Sequence, residues 1–181
     1  MPAVLEVEST SRSVNIQYPA NETEIPDREY RTTITSRTSS VKEKILHGEE
    51  TIIDIRIGSL DAQILSYGGG DRESSLITKI ESGSSSIELL RPYRRDGNPL
   101  TRMSSTHSAQ SGHQLRYPQE WQGNISGELR SSSINLPGRD AEIIDKRSAH
   151  GAKYVKGRKG HGNSTLTFDV RSSSVDAMIG E

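Results

Sequence analysis

The sequence predicts an all-β fold: a short β-solenoid, or β-strand-repeat domain, with two insertions, and a two-sheet β-sandwich as the alternative arrangement. Three observations predict it. Only 30% of the residues are apolar and 4% aromatic, yet Val, Ile and Leu fall in short alternating runs such as "TIIDIRI" and "TLTFDV", the period of a strand with one face turned inward. The 181 residues include 27 serines and 16 glycines, which suit corners between strands. And one phrase recurs: a strand, a small polar turn ending in Ser, then an aliphatic residue that opens the next alternation.

In chain order, Ser13 precedes Val14, Ser40 precedes Val41, Ser59 precedes Leu60, Ser86 precedes Ile87, Ser133 precedes Ile134 and Ser174 precedes Val175. Two of these boxes, "LRSSSINL" and "VRSSSVDA", are almost the same words. Two residues after the anchor stand Ile16, Ala62, Leu89, Leu136 and Ala177, with Glu43 as the exception. The anchors are 27, 19, 27, 47 and 41 residues apart. The short spacings fit a strand–turn–strand unit of solenoid size. The long ones predict insertions at about 91–123 and 139–162 within a single domain, 1–181. The second insertion reads as a hairpin, "AEIID" and "AKYVKGR" flanking a turn near His150-Gly151. Gly serves where a corner needs positive φ. Gly58 and Gly83 occupy the turns of two boxes, and Ser132 and Ser173 occupy those of the repeated phrase.

The boxes "SGSSSIEL", "RSSSINL" and "RSSSVDAMIG" resemble the Ser-Gly-Ser-aliphatic repeats of the adhesin-like β-strand-repeat family. Residues 107–181 resemble its fungal branch, a domain of unknown function, through "SGHQLRYPQEWQGNISGEL", "INLPGRDAEII" and "GAKYVKGRKGHGNSTLTFDVRSSSVDAMIG". The resemblance implies an all-β repeat fold and no particular reaction.

Bulk chemistry narrows the partners. A net charge of −1 sets up no strong field for nucleic acid or an anionic membrane. The absence of Cys excludes disulfides and thiolate metal sites. No apolar run reaches bilayer length. The N-terminus lacks a basic stretch followed by an apolar core, so no signal peptide is expected and the cytoplasm is the default location. No cofactor or metal motif stands out.

The candidate chemistry is sparse. His107 and His113 flank "SAQSG" and could form an acid–base or metal cluster with nearby carboxylates; two solvent-facing histidines in an insertion is the simpler reading. Tyr117 and Trp121, in "YPQEWQG", could stack on a sugar, or Trp121 could plug the end of the aliphatic stack. Arg94 and Arg95, in "RPYRRDG", would suit an anion, or sit solvated in a loop. "KGRKGHGNS" lacks the phosphate-loop pattern and reads as a turn. No nucleophile elbow surrounds any Ser box. Two functions are therefore expected. One is a non-enzymatic, adhesin-like scaffold that self-associates through edge strands and meets a protein or glycan partner. The other is an enzyme or small-molecule binder with its site under the 91–123 insertion.

Overall fold

The computed structural model describes residues 3–18, 29–67, 72–92, 99–130, 134–135, 138, 140–171 and 174–180. The protein is all-β, with two sheets facing each other across one core. In chain order the strands are β1 (Ala3–Ser9), β2 (Val14–Gln17), β3 (Tyr30–Thr38), β4 (Val41–His47), β5 (Glu50–Ile57), β6 (Leu60–Ser66), β7 (Ser74–Ser82) and β8 (Ser85–Leu90). They continue as β9 (Met103–Ala109), β10 (His113–Tyr117), β11 (Gly123–Arg130), β12 (Ile134–Asn135), β13 (Ala141–Ala149), β14 (Ala152–Lys159), β15 (Ser164–Val170) and β16 (Val175–Ile179).

The long sheet runs β1-β3-β5-β7-β9-β15-β11-β14-β13 and the short sheet β12-β16-β10-β8-β6-β4-β2. Most neighbours are parallel, because the chain alternates between sheets and returns two strands later in the same direction. Among the described residues only β14 runs antiparallel, to β11 and to β13. Period-two alternation then puts one side chain in two into the core: Ile34, Ile53, Ile55, Leu76 and Ile80 from the long sheet face Val41, Ile45, Leu60, Ile64 and Ile87 from the short one. A narrow aliphatic layer suffices because each strand needs only two or three inward residues.

The register corrects the repeat. The residues aligned across the short sheet are Val14, Val41, Leu60, Ser85, His113, Val175 and Ile134. Ser85, not Ile87, therefore holds the anchor place. Ile87 pairs with Ala62 and Leu115 in the next inward position. The expected insertion at 91–123 supplies β9 and β10, which fill the fifth place in each sheet. Its repeat was hidden because the inward positions of β9 hold Ser105 and His107 and that of β10 holds His113, where other strands carry aliphatics.

The expected hairpin in 139–162 is present. β13 and β14 meet at a two-residue turn, His150 with φ 52° and Gly151 with φ 78°, both in the left-handed region that such a tight turn demands. At the corners, Gly58 and Gly83 have φ 144° and 140°. A Cβ on Gly83 would collide with the carbonyl of Gly58, and one on Gly58 with that of Ser39, so the stacked corners leave no room for a side chain. The Ser59 hydroxyl donates to Ser40 at 3.0 Å between neighbouring corners. Ser132 and Ser173 lie outside the described residues.

The strand order carries one crossover. β15 and β16, last in the chain, lie between β9 and β11 and between β10 and β12. The chain skips a place after β10, builds β11 to β14, and returns to fill the slot. Buried Ser164 fixes the entry: its hydroxyl donates to the Leu100 carbonyl at 2.6 Å and accepts from the Met103 amide at 2.7 Å. Phe168 then lays its ring over Gly127 of β11, where a Cβ would collide with it. Among the described residues no helix is long and apolar enough to cross a membrane.

Candidate functional site

Four of the sequence candidates come together. His107 on β9 and His113 and Tyr117 on β10 point inward, and Trp121 lies in the link from β10 to β11. The His107 and His113 rings are 5.6 Å apart, and Tyr117 packs edge-on to His107 at 6.2 Å and to Trp121 at 5.6 Å. Strand alternation explains the meeting: His107 is aligned with Phe168 on the long sheet, and Tyr117 with Ile179 on the short sheet.

The cluster is wired by hydrogen bonds. His107 Nδ1 is 2.8 Å from Thr78 Oγ1, and its Nε2 is 2.7 Å from the Tyr117 hydroxyl. A neutral imidazole has one donor and one acceptor nitrogen, and two hydroxyls satisfy both in either tautomer. His113 Nδ1 bonds the hydroxyl of Ser85, its neighbour in the anchor row. His113 Nε2 and Trp121 Nε1 have no partner.

Burial makes these groups reluctant to ionise. Desolvation, with a smaller contribution from His113, holds His107 well below the usual histidine range, and desolvation holds His113 down to about 4. Desolvation also pushes the Tyr117 phenol up. Both imidazoles are neutral at neutral pH and neither reaches solvent: all four residues are at most 1% exposed. This corrects two expectations. The histidines are not solvent-facing, and the faces of Tyr117 and Trp121 are covered by protein, so they offer a sugar no platform. Trp121 is buried against Tyr117, and its amide donates to the Pro118 carbonyl at 3.1 Å. The link is tied from the side by Lys159, whose Nζ donates to the Gln119 carbonyl at 2.6 Å. Arg94 and Arg95 lie outside the described residues.

The sequence missed other buried polar groups. Thr78 and Ser85 complete the cluster, and Glu43 and His47 sit inward on β4. Both Glu43 carboxylate oxygens lack a partner, and desolvation raises its pKa to about 8. His47 Nδ1 is 2.9 Å from Thr51 Oγ1, and desolvation lowers the histidine to about 4. Glu43 alone had left a signal, as the one polar residue in its row of the repeat.

A surface depression lies apart from this cluster. A polar groove of about 850 Å³ runs along the starts of the long-sheet strands, bordered by Arg31, Glu49, Glu50, Glu73 and Arg102. A two-bond fork joins Arg31 to Glu49 at 2.7 and 2.9 Å. Among the described residues no group of three or more His, Cys, Asp or Glu could hold a metal. Comparison with known protein families, curated proteins and solved structures finds no match for this chain.

Proposed function

We propose that the protein is a non-enzymatic, self-associating scaffold of adhesin-like type, its two sheets being the faces of a short β-solenoid. The solenoid reading is supported by the regular passage of the chain through a corner from each long-sheet strand into the next short-sheet strand, with neighbouring tiers in register. The resemblance of the Ser boxes to adhesin-like repeats points the same way. One observation carries the functional reading: among the described residues, the long sheet ends in β1 on one side and β13 on the other, each paired on a single side. Free strand edges are templates for pairing with another chain, whereas the acid–base candidates of the core are sealed from any substrate. Light scattering over a broad concentration range tests it. Mass rising with concentration supports the scaffold, and a strict monomer rejects it.

The second reading is a glycan or small-molecule binder. It rests on the polar groove along the starts of the long-sheet strands, where Arg102 comes from the 91–123 segment. Titration with neutral and acidic oligosaccharides, followed by backbone amide shifts, tests it.

A further inference from the structure

The floor of the polar groove is a ruled line of side chains. Arg31, Glu50, Ser75, Ser104 and Thr165 line it, and they are successive register partners on five adjacent strands, β3, β5, β7, β9 and β15. The groove therefore crosses the strands on the outer face of the long sheet instead of following one strand. Four inter-strand steps of about 4.8 Å give a straight floor about 19 Å long. The wall repeats the pattern. Glu73, Arg102 and Asn163 also line the groove, and each stands two residues ahead of a floor residue, Ser75, Ser104 and Thr165 in turn. Backbone bonds stitch the strand entries together: the Ser75 amide donates to the Glu49 carbonyl at 2.9 Å, that of Ser74 to Arg102 at 3.3 Å and that of Asn163 to Thr101 at 2.9 Å. A site held this firmly loses little freedom when a ligand arrives.

The lining selects the ligand. It holds no aromatic side chain, and its one apolar residue, Met103, is buried, so an apolar compound finds no seat. An extended peptide pairs along a strand edge, whereas this floor lies across strands. Glu49, Glu50 and Glu73 outnumber Arg31 and Arg102, and the fork to Glu49 already holds Arg31, so the field disfavours an anion. What remains is hydrogen-bonding capacity: carboxylate acceptors on Glu50 and Glu73, hydroxyls on Ser75, Ser104 and Thr165, and the Asn163 amide. Thr165 donates to Ser104 at 3.3 Å. The Ser75 hydroxyl and the Asn163 side-chain amide make no hydrogen bond among the described residues.

We propose that this groove binds an extended, uncharged oligosaccharide, laid across β3, β5, β7, β9 and β15 with its hydroxyls bonded to Glu50, Glu73, Ser75 and Asn163. The proposal rests on the binder reading and names its ligand class. A linear chain of hydroxyl-bearing units matches a straight floor of evenly spaced polar rungs. Bonds from sugar hydroxyls to the two carboxylates are charge-assisted and are the stronger ones. With no aromatic face to stack on, each sugar unit contributes little, and affinity comes from chain length.

Titration of the folded chain with β-1,4-linked glucose oligomers of one to six units, followed by backbone amide shifts, tests it. The shifts should centre on Glu50, Ser75, Ser104 and Thr165. Affinity should rise with each added unit until the floor is filled and then level off. Uronic acid oligomers of equal length should bind at least about tenfold more weakly, because their carboxylates meet the glutamates. Ser75→Ala with Asn163→Ala removes two groups that bond nothing else in the fold, and circular dichroism verifies that this variant is folded. It should bind the longest glucose oligomer at least about fivefold more weakly, the loss of one or two ordinary hydrogen bonds. If the uronic acid oligomers bind the groove as tightly, if affinity ignores length, or if the double variant binds as the parent does, the oligosaccharide inference is wrong while the binder reading stands. The same holds if sugars leave the groove amides unmoved and small polar fragments shift them. If neither sugars nor fragments shift them, the binder reading fails together with the inference.

Discussion

His107 Nε2 stands 2.7 Å from the Tyr117 hydroxyl in a core where neither residue is more than 1% exposed. A bond so placed specifies structure: it fixes the pairing of a long-sheet strand with a short-sheet strand through a single geometry. Removing the hydroxyl in Tyr117→Phe leaves an imidazole nitrogen buried without a partner, at a cost of about 1–3 kcal/mol. Urea unfolding should show that loss. His107→Phe with Tyr117→Phe, which removes both polar ends, should lose less than the sum of the single changes.

The buried titratable groups set a pH optimum. His47 and His113 are lowered to about 4, and His107 lies well below its usual range, all by desolvation. A depressed histidine binds its proton more readily in the unfolded chain. The stability of these three is therefore intact above about pH 6.5 and is lost as pH falls toward 4, each by up to about 1.4 kcal/mol per pH unit. Glu43, raised to about 8 by desolvation, has the opposite sign. Its contribution is intact below about pH 4.5 and is lost as pH climbs to 8. Three sites outweigh one on the acid side and Glu43 acts alone on the alkaline side, so stability should peak near pH 6.5. Glu43→Gln should flatten the alkaline limb between pH 6.5 and 8 and leave the acid limb in place. A midpoint in urea that still falls over that alkaline range in the variant rules Glu43 out as its cause.

How far the sequence could be read follows from the same residues. Strand alternation and the Ser corners were visible because Val14, Val41, Leu60 and Val175 are aliphatic anchors at corners. The fifth tier was invisible because its anchor is His113 and its neighbour's is Ser85; polar side chains that bond each other can replace an aliphatic pair, and a hydrophobicity pattern does not register that exchange. The slot filled by β15 and β16 was equally hidden, since no local signal tells a strand that its neighbours are β9 and β11 rather than its chain successors. The grouping of His107, His113, Tyr117 and Trp121 was legible from their closeness in the chain. Their burial was not, since a spacing of six between the histidines says nothing about which face of a strand each takes.

The corner glycines separate two kinds of constraint. Gly151 has φ 78° and open space around it, whereas Gly83 has φ 140° and the Gly58 carbonyl where a Cβ would stand. Gly151→Ala should cost only the left-handed strain, about 1–2 kcal/mol. Gly83→Ala adds a backbone collision and should cost clearly more, or prevent folding. Thermal melts of the two variants give the comparison. Equal losses would mean that the stacked corners separate easily.

The chain's sole tryptophan reports on the link over the crossover. Trp121 is 0% exposed, and Lys159 is tied to the Gln119 carbonyl beside it. Lys159→Ala should loosen residues 118–122, shift Trp121 emission to the red and admit a neutral quencher. Unchanged emission would place the hold on the link in its packing rather than in the lysine.

The crossover makes the two ends of the chain unequal under truncation. β1 and β2 stand at the same end of the two sheets and each pairs with one neighbour, and their Val7, Val14 and Ile16 are only partly buried. Deleting residues 1–18 should leave the remaining strands paired and lower stability modestly. Deleting residues 164–181 removes β15 and β16 from the interior of both sheets, and with them buried Leu166, Phe168, Val170, Val175, Ala177 and Ile179. The ladders of β9 and β11 would then face a gap one strand wide, and β11 to β14 would lose their connection to the stack. This chain should be unfolded or molten, with amide exchange unprotected across β11 and β14. Native-like protection there would show that the hairpin unit folds without the returning strands, against the order of assembly that the topology implies.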